Sequence, residues 1–184
     1  MPFYNVCVVN KSFFLFSIII CLNSYSTIMA RKIVVHVDDS DSDARLVLIA
    51  LKKCNIDCDL VRLKDGQDLI DYLGCKHDYA HRHPEENKNI YLILLDINMP
   101  RMSGMEALQS IKDSQDFKEL PVVMLSTSNA DSDLKLSYEL GANSYIVKMF
   151  DFESLQAVIS KIADYWLNVN KRTNQLPSFH TYKD

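Results

Sequence analysis

The stretch Ile90-Tyr-Leu-Ile-Leu-Leu-Asp-Ile-Asn-Met-Pro100 decides the fold class. Its first six residues form a continuous apolar run, which is typical of a parallel strand buried on both faces. An acid, Asp96, follows the run immediately. Ligands of open parallel sheets bind beyond the carboxyl ends of the strands, so this acid lies where chemistry is expected. The stretch therefore predicts a covered parallel sheet with an acidic group at its rim.

Outward from this stretch, short apolar runs alternate with amphipathic segments in both directions. The apolar runs predict strands at 33–37, 59–63, 90–95, 121–125 and 144–147. The amphipathic segments predict helices at 42–53, 65–73, 104–114, 132–140 and 152–169. Residues 74–89 are predicted to form a polar loop. Five strands alternating with five helices predict βαβ units and an α/β fold, with one parallel sheet covered by helices on both faces.

Composition excludes several classes of protein. The 184 residues include 20 Lys and Arg against 24 Asp and Glu, so the formal net charge is -4 and there is no basic surface for nucleic acid. Apolar residues make up 48% and charged residues 24%, as in ordinary globular proteins, and four Gly and five Pro are too few for a low-complexity chain. Five Cys without a CxxC pair indicate reduced thiols in the cytoplasm rather than disulfides or a zinc site.

The first 29 residues differ from the rest of the chain. They contain one charged side chain, Lys11, and the apolar run Phe13-Phe-Leu-Phe-Ser-Ile-Ile-Ile-Cys-Leu22. Ten residues are too few to span a bilayer, which needs about 20. Two interpretations remain, a signal-like segment or upstream sequence before a natural start at Met29. In both, 1–29 is an apolar extension outside the fold, 30–170 is the folded domain and 171–184 is a polar tail.

Polar side chains follow four of the predicted strands. Asp38 and Asp39 end the first, Asp96 the third, Ser126 the fourth and Lys148 the fifth. Two carboxylates about 4 Å apart repel by roughly 4 kcal/mol at an effective dielectric near 20, so three of them together need a cation. Oxygen ligands supplied by few protein groups suit Mg²⁺. A carboxylate, a metal, an ammonium and a hydroxyl are what phosphoryl transfer requires.

Each of these residues alone has a simpler interpretation. A single Asp after a strand is commonly a helix cap, and a single Lys is commonly a solvated surface charge. Asp41 and Asp43 are interpreted in this way, as caps or exposed acids. The whole set at the ends of the expected strands favours a functional site.

Four segments of the chain resemble the receiver domain of two-component response regulators, the CheY-like group. They are Val37-Asp-Asp-Ser40, Leu94-Leu-Asp-Ile-Asn-Met-Pro-Arg-Met-Ser-Gly104, Pro121-Val-Val-Met-Leu-Ser126 and Gly141-Ala-Asn-Ser-Tyr-Ile-Val-Lys148. The resemblance covers about residues 31–168. It implies a flavodoxin-like (βα)5 fold, a doubly wound parallel sheet with strand order 2-1-3-4-5.

The resemblance also implies roles around a metal. Asp96 is the implied phosphoacceptor, and Asp39 and Asp96 are the implied carboxylate ligands of Mg²⁺. The backbone carbonyl of Asn98 is the implied third protein ligand. Asp38 is implied to act through a metal-bound water.

Further implied roles concern the phosphoryl group and the response to it. Lys148 is implied to contact the phosphoryl group, Ser126 to swing inward on phosphorylation, and Tyr145 to be the coupled aromatic switch. One departure stands out, because receivers usually place a cis proline after this lysine and Met149 occupies the position. A cis bond before another residue costs about 3–4 kcal/mol, so we expect a trans bond that moves Lys148 somewhat.

The sequence is more similar to one subgroup, the small regulators paired with phytochrome-type histidine kinases of the cyanobacterial type. The marks are the long loop 74–89, the stretch Ser137-Tyr-Glu-Leu-Gly-Ala-Asn143 and the closing Tyr165-Trp-Leu167. Members of that subgroup are single-domain and often dimeric, which makes Trp166 a candidate dimer contact. The expected partners are a histidine kinase, a second copy of the chain and an unidentified downstream protein, with no nucleic acid and no membrane.

Two other functions were weighed. An unphosphorylated pseudo-receiver scaffold is suggested only by Met149, and the intact acids argue against it. A phosphohydrolase of the haloacid dehalogenase type also uses an aspartyl nucleophile with Mg²⁺. Such enzymes carry a second Asp two residues after the nucleophile, where this chain has Asn98, which cannot act as a general acid. We therefore expect no enzyme activity beyond the chain's own phosphorylation and dephosphorylation.

The histidines have structural interpretations. His36 lies inside the first predicted strand and is expected to be a packed, hydrogen-bonded core residue. His77, His81 and His83 lie in the polar loop, and no Cys or acid completes a usual metal spacing around them. This loop is expected to be solvated and to face a partner.

Overall fold

The structure, a computed structural model, describes residues 31–172. The predicted extension 1–29 and most of the predicted tail lie outside these residues. The five strands are β1 (Lys32–Val37), β2 (Cys58–Leu63), β3 (Ile90–Leu95), β4 (Val122–Ser126) and β5 (Ser144–Val147). The five helices are α1 (Asp41–Lys53), α2 (Gly66–Leu73), α3 (Gly104–Asp113), α4 (Asp131–Glu139) and α5 (Phe152–Asp164).

The strands form one parallel sheet in the order β2-β1-β3-β4-β5, which confirms the predicted topology. Val35 of β1 is in register with Val61 of β2 on one side and with Ile93 of β3 on the other. Strand β1 thus lies in the interior of the sheet, with β2 on one side and β3, β4 and β5 on the other. The loop after β1 and the loop after β3 leave the sheet in opposite directions at this reversal of strand order. Sheets of this kind bind their ligands at that point.

Two apolar layers cover the sheet. On one face, Leu69 of α2 and Leu108 of α3 pack on a layer that includes Val35, Ile93 and Met124. On the other face, α1 and α5 pack on a second layer, which comprises Val34, Val47, Ala50, Leu51, Leu92, Leu94, Val123, Leu125, Leu155, Ile159, Ala163 and Leu167. The burial of β3 on both faces explains its unbroken apolar run.

Local sequence signals set the helix boundaries. The hydroxyl of Ser40 accepts a hydrogen bond from the backbone N–H of Asp43 and so caps α1. Asp65 caps α2 in the same way, and Ser103 with Glu106 forms a capping box at α3. Gly141 follows α4 with φ of 92°, a backbone conformation that glycine adopts without strain. Helices α1 to α4 therefore begin and end within one residue of the predicted bounds.

The segment after α2 is more ordered than the predicted polar loop. It contains two 3₁₀ helices, His77–Tyr79 and Pro84–Asn89. The guanidinium carbon of Arg82 lies 3.6 Å from the centre of the Tyr72 ring. The buried side chain of Asn87 donates to the carbonyl of Leu73 at 2.7 Å and accepts from Arg82 at 3.2 Å. These contacts hold the segment against α2.

The last helix also differs from its prediction. It is α-helical only to Asp164 and ends in a π-helical turn, Tyr165–Val169. The side chain of Leu167 is buried in the second apolar layer, whereas Tyr165 and Val169 are exposed. Within residues 31–172, no helix is both long enough and apolar enough to cross a membrane.

Candidate functional site

The ammonium group of Lys148 is the centre of a carboxylate cluster at the carboxyl ends of the strands. Its Nζ atom lies 2.8 Å from Oδ2 of Asp38, 2.9 Å from Oδ2 of Asp43 and 3.3 Å from Oδ1 of Asp96. The three carboxylates come from the ends of β1 and β3 and from the first turn of α1, while Lys148 directly follows β5. The structure thus brings three of the predicted site residues, Asp38, Asp96 and Lys148, into direct contact.

The pKa values of the two buried carboxyls of this cluster, Asp38 and Asp96, are shifted in opposite directions. Burial alone raises the pKa of Asp38, but the contacts with His36 and Lys148 outweigh burial and bring the pKa to about 2. The pKa of Asp96 is raised, because burial and the neighbouring charge of Asp38 outweigh the attraction of Lys148. Burial lowers the pKa of Lys148, yet hydrogen bonds to Asp38 and Asp43 reverse this and raise it. Lys148 therefore stays charged and stabilises Asp38 more than Asp96.

Asp96 is fixed by the backbone around it. The backbone N–H of Asn98 donates to its Oδ2 at 3.1 Å. The start of α3 approaches Asp96 closely, since a Cβ atom added to Gly104 would lie 1.9 Å from the Asp96 carbonyl oxygen. Only glycine fits at this position. The side chain of Asp96 is only 8% exposed, so it is nearly buried.

Ser126 and Tyr145 belong to the strands next to this cluster. Ser126 ends β4, is fully buried, and its hydroxyl accepts a hydrogen bond from the backbone N–H of Ser128 at 3.2 Å. The phenol of Tyr145, in β5, donates to the carbonyl of Ser128 at 2.9 Å. Both predicted switch residues therefore contact one residue of the loop after β4.

Two predicted metal-site residues are oriented toward solvent. Asp39 is exposed and its carboxylate has no ion-pair partner among residues 31–172, and the side chain of Asn98 is exposed as well. In the same part of the chain, no three His, Cys, Asp or Glu side chains are arranged to hold one metal ion, and this includes the loop histidines. Asp39 therefore lies outside the ion pairs that Lys148 forms with Asp38 and Asp96.

Asp43 was missed by sequence reasoning. Its position in the first turn of α1 favoured the interpretation of a cap or an exposed acid, whereas its carboxylate forms a hydrogen bond with Lys148. The backbone N–H of Asp43 is the group that takes part in capping, because it donates to Ser40. A signal was present, since the first turn of α1 follows directly after Asp38 and Asp39 and must lie beside them.

His36 is buried as predicted, but the predicted hydrogen bond is wrong. Its side chain is 0% exposed, and Nε2 lies 3.5 Å from Oδ2 of Asp38 in a geometry that does not form a hydrogen bond. Neither ring nitrogen has another partner in residues 31–172. The neighbouring residue in register on β2 is Arg62, whose guanidinium pairs with Asp41 at 2.6 Å.

The bond between Lys148 and Met149 is trans, as expected, since residues 31–172 contain no cis peptide bond. Met149 is 43% exposed, and Phe150 beside it is fully exposed. Lys148 nevertheless reaches the acids at the ends of β1 and β3. The residue after the lysine is therefore not what brings its ammonium to the cluster.

Residues 34–160 match the response regulator receiver domain. The chain belongs to this family. It is 38% identical over 136 residues to the response regulator Rcp1 of Synechocystis sp., an alignment that covers 74% of this chain and 89% of Rcp1. As a receiver, the chain has the fold that its strand order indicates.

Solved receiver structures agree with this assignment. The Mn²⁺-bound form of Rcp1 is 35% identical, with a TM-score of 0.68, and covers 80% of this chain and 99% of that one. The phosphorylated cyanobacterial phytochrome response regulator RcpA is 34% identical, with a TM-score of 0.70 and the same coverage. The similarity therefore spans almost the whole length of both solved chains.

Proposed function

We propose that this receiver is a stand-alone response regulator that accepts a phosphoryl group from a histidine kinase on Asp96 and signals through contacts with other proteins. The observation that carries the proposal is the carboxylate of Asp96 at the end of β3, 3.3 Å from the ammonium of Lys148 and beside Asp38. A nearly buried carboxylate next to a fixed positive charge suits nucleophilic phosphoryl transfer.

In the proposed reaction, a carboxylate oxygen of Asp96 attacks the phosphorus of a phosphohistidine. The new P–O bond forms as the P–N bond breaks, and the bonding electron pair leaves with the imidazole nitrogen. Lys148 offsets the charge on the phosphoryl oxygens. Ser126 and Tyr145 form the proposed switch pair. The support is that both form hydrogen bonds with Ser128, so a movement of either hydroxyl would change a contact of the loop after β4.

The proposed metal is Mg²⁺, held by the carboxylates of Asp39 and Asp96 and the backbone carbonyl of Asn98, with Asp38 acting through a water. The donors fit this ion, because they are hard oxygen atoms and several carboxylates share only one ammonium, that of Lys148. When bound, the ion would neutralise charge on the phosphoryl oxygens. The Mn²⁺-bound form of Rcp1 supports a divalent cation in this family.

The proposed kinase is of the phytochrome type and the proposed location is the cytoplasm. Similarity to RcpA, a phytochrome response regulator, supports the first point. The chain's net charge of -4 supports the expectation of no nucleic-acid partner, and no membrane partner is proposed either. A homodimer is part of the same proposal, and its support is the exposed apolar surface at the end of α5.

The test is labelling with acetyl phosphate in the presence of Mg²⁺, followed by intact-protein mass. Wild-type protein should gain one phosphoryl group, and Asp96→Asn should gain none, because the amide is not a nucleophile for phosphorus. Asp113→Asn is the matched control, since it removes a carboxylate from the exposed end of α3, and it should label normally. Full labelling of Asp96→Asn would contradict the proposal, and an unlabelled wild type would favour the pseudo-receiver scaffold.

A further inference from the structure

Asp43 competes for the positive charge of the site. Its Oδ2 atom accepts a hydrogen bond from Lys148 Nζ at 2.9 Å, nearly as short as the 2.8 Å bond to Asp38. The distance from the same ammonium to Asp96 is longer, 3.3 Å. The ammonium group of Lys148 therefore lies closer to Asp38 and Asp43 than to Asp96.

The two carboxylates that hold Lys148 differ in how easily they can release it. Asp38 has a side chain that is 1% exposed, so releasing the ammonium would leave a buried charge unpaired. The side chain of Asp43 is 33% exposed, so water can replace the ammonium there. A phosphoryl oxygen on Asp96 that needs Lys148 would thus draw it from Asp43 rather than from Asp38.

We propose that Asp43 is a positioning residue that draws Lys148 away from Asp96 and so weakens the binding of a phosphoryl group there. The inference rests on the proposed function, since it assigns Lys148 to the phosphoryl oxygens. Asp43 is fixed in α1, whose first turn is anchored through the Ser40 cap. Asp43 thereby favours the unphosphorylated state of the protein. It sets how strong a phosphodonor must be to phosphorylate Asp96.

The test is the binding of beryllium fluoride, a phosphoryl analogue, in the presence of Mg²⁺, measured by isothermal titration calorimetry. Asp43→Asn removes the competing charge and should lower the half-saturating concentration about five-fold, the effect of losing one partly exposed ion pair. Asp43→Glu retains a carboxylate and should stay close to wild type. If Asp43→Asn does not fold by circular dichroism, Asp43→Ser removes the same charge and takes its place.

Asp41→Asn is the matched control. It deletes the same charge from the same turn of α1, but Asp41 pairs with Arg62 at 2.6 Å rather than with Lys148. Its half-saturating concentration should equal that of wild type. Equal effects of Asp43→Asn and Asp41→Asn would overturn the inference, because they would reflect general charge at the helix, and weaker binding by Asp43→Asn would overturn it too.

The same titration separates this inference from the proposed function. Beryllium fluoride binding by wild type that disappears in Asp96→Asn supports the phosphoacceptor, whatever Asp43 does. Retained binding in Asp96→Asn, or none in wild type, would contradict the proposed function and the role of Asp43 with it.

Discussion

Asp38 and Asp96 are close enough to share one ammonium, yet their pKa values move in opposite directions. The difference arises from His36, which contacts only Asp38, and from Lys148, which approaches Asp38 to 2.8 Å and Asp96 only to 3.3 Å. Asp38 is stabilised as a carboxylate, whereas Asp96 remains partly uncompensated in a buried position. The cluster therefore holds one acid that stabilises the fold and one that is available for chemistry.

The first prediction concerns acid stability. Because the folded-state pKa of Asp38 is about 2, below its ordinary value of 3.8, its contribution is fully present above pH 5 and is lost as the pH falls toward 2. The loss is about 2 kcal/mol in the free energy of unfolding. Asp96, with a raised pKa, contributes in the opposite sense as it becomes protonated.

Urea unfolding of wild type and Asp38→Asn at several pH values between 5 and 2.5 would measure this. We expect the stability of the variant to fall less steeply than that of wild type. Parallel curves for the two proteins would contradict the assigned role of Asp38. Asp113→Asn, which changes an exposed acid, should follow wild type.

The residues of the site were predicted unevenly. Asp38, Asp96, Ser126 and Lys148 follow from their positions after strands, because parallel strands end at one rim. Asp43 was interpreted as a cap or an exposed acid, since helix capping alone explains an acidic residue in the first turn of a helix. Its contact with Lys148 depends on the path of the chain after β5, which the sequence pattern does not specify.

At the scale of elements, the loop between β3 and α3 is fastened to its neighbours at both ends. Gly104 packs against the Asp96 carbonyl, and the N–H of Gly66 donates to the carbonyl of Met102 at 3.0 Å. Next to Met102, Arg101 donates through Nε to the buried carboxylate of Asp65 at 2.6 Å. Arg101 has φ of 59°, so this contact is made from a left-handed backbone position. The loop that carries Asn98 is thus held to α2.

The second prediction tests this close packing. Gly104→Ala should lower the free energy of unfolding by about 3 kcal/mol or more, because its new methyl group meets a backbone oxygen that cannot move aside. Thermal or urea unfolding would measure the loss.

Gly74→Ala is the matched control. At that position the added Cβ lies 3.2 Å from its nearest atom and φ is -79°, so alanine needs little adjustment. A Gly104→Ala protein as stable as Gly74→Ala would contradict the packing argument.

The elements were largely predictable because each strand and most helices have their own local signal. The strands agree with their predicted bounds to within one residue, as with Cys58–Leu63 against 59–63. The segment 74–89 was not predictable, because its order comes from tertiary contacts of Arg82 and Asn87 with α2. The π-helical turn has no periodic signal of its own and depends on the burial of Leu167.

At the scale of the whole molecule, the end of α5 presents apolar surface to solvent. Tyr165 is 50% exposed and Val169 is 58% exposed, on the two ends of the π-helical turn. Trp166, the predicted dimer contact, is partly buried against the second apolar layer and packs edge to face on Tyr165. Its role as a dimer contact stays a prediction, and the exposed neighbours Tyr165 and Val169 extend the surface proposed for the dimer.

The third prediction concerns this surface. Val169→Lys should weaken the proposed homodimer about ten-fold or more, because an ammonium at the centre of an apolar contact is desolvated without a partner. Sedimentation velocity over a range of protein concentrations would give the dissociation constant.

Ile49→Lys is the control, since it places the same charge on an exposed apolar residue of α1. It should dimerise as wild type does. Equal weakening by both variants would contradict the assigned surface, and a wild type that stays monomeric at every concentration would contradict the dimer itself.

The arrangement of the two apolar layers has a consequence for biosynthesis. One face of the sheet is covered by α1 and α5, and α5 is the last α-helix of residues 31–172, made much later than β1 and β3. At about 5–20 residues per second, a ribosome needs roughly 3–11 s to proceed from the end of β3 to Phe152. Throughout that interval Leu92 and Leu94 lack the part of their cover that α5 supplies. We therefore expect chaperones that bind exposed apolar segments to contact the nascent chain until α5 has been made.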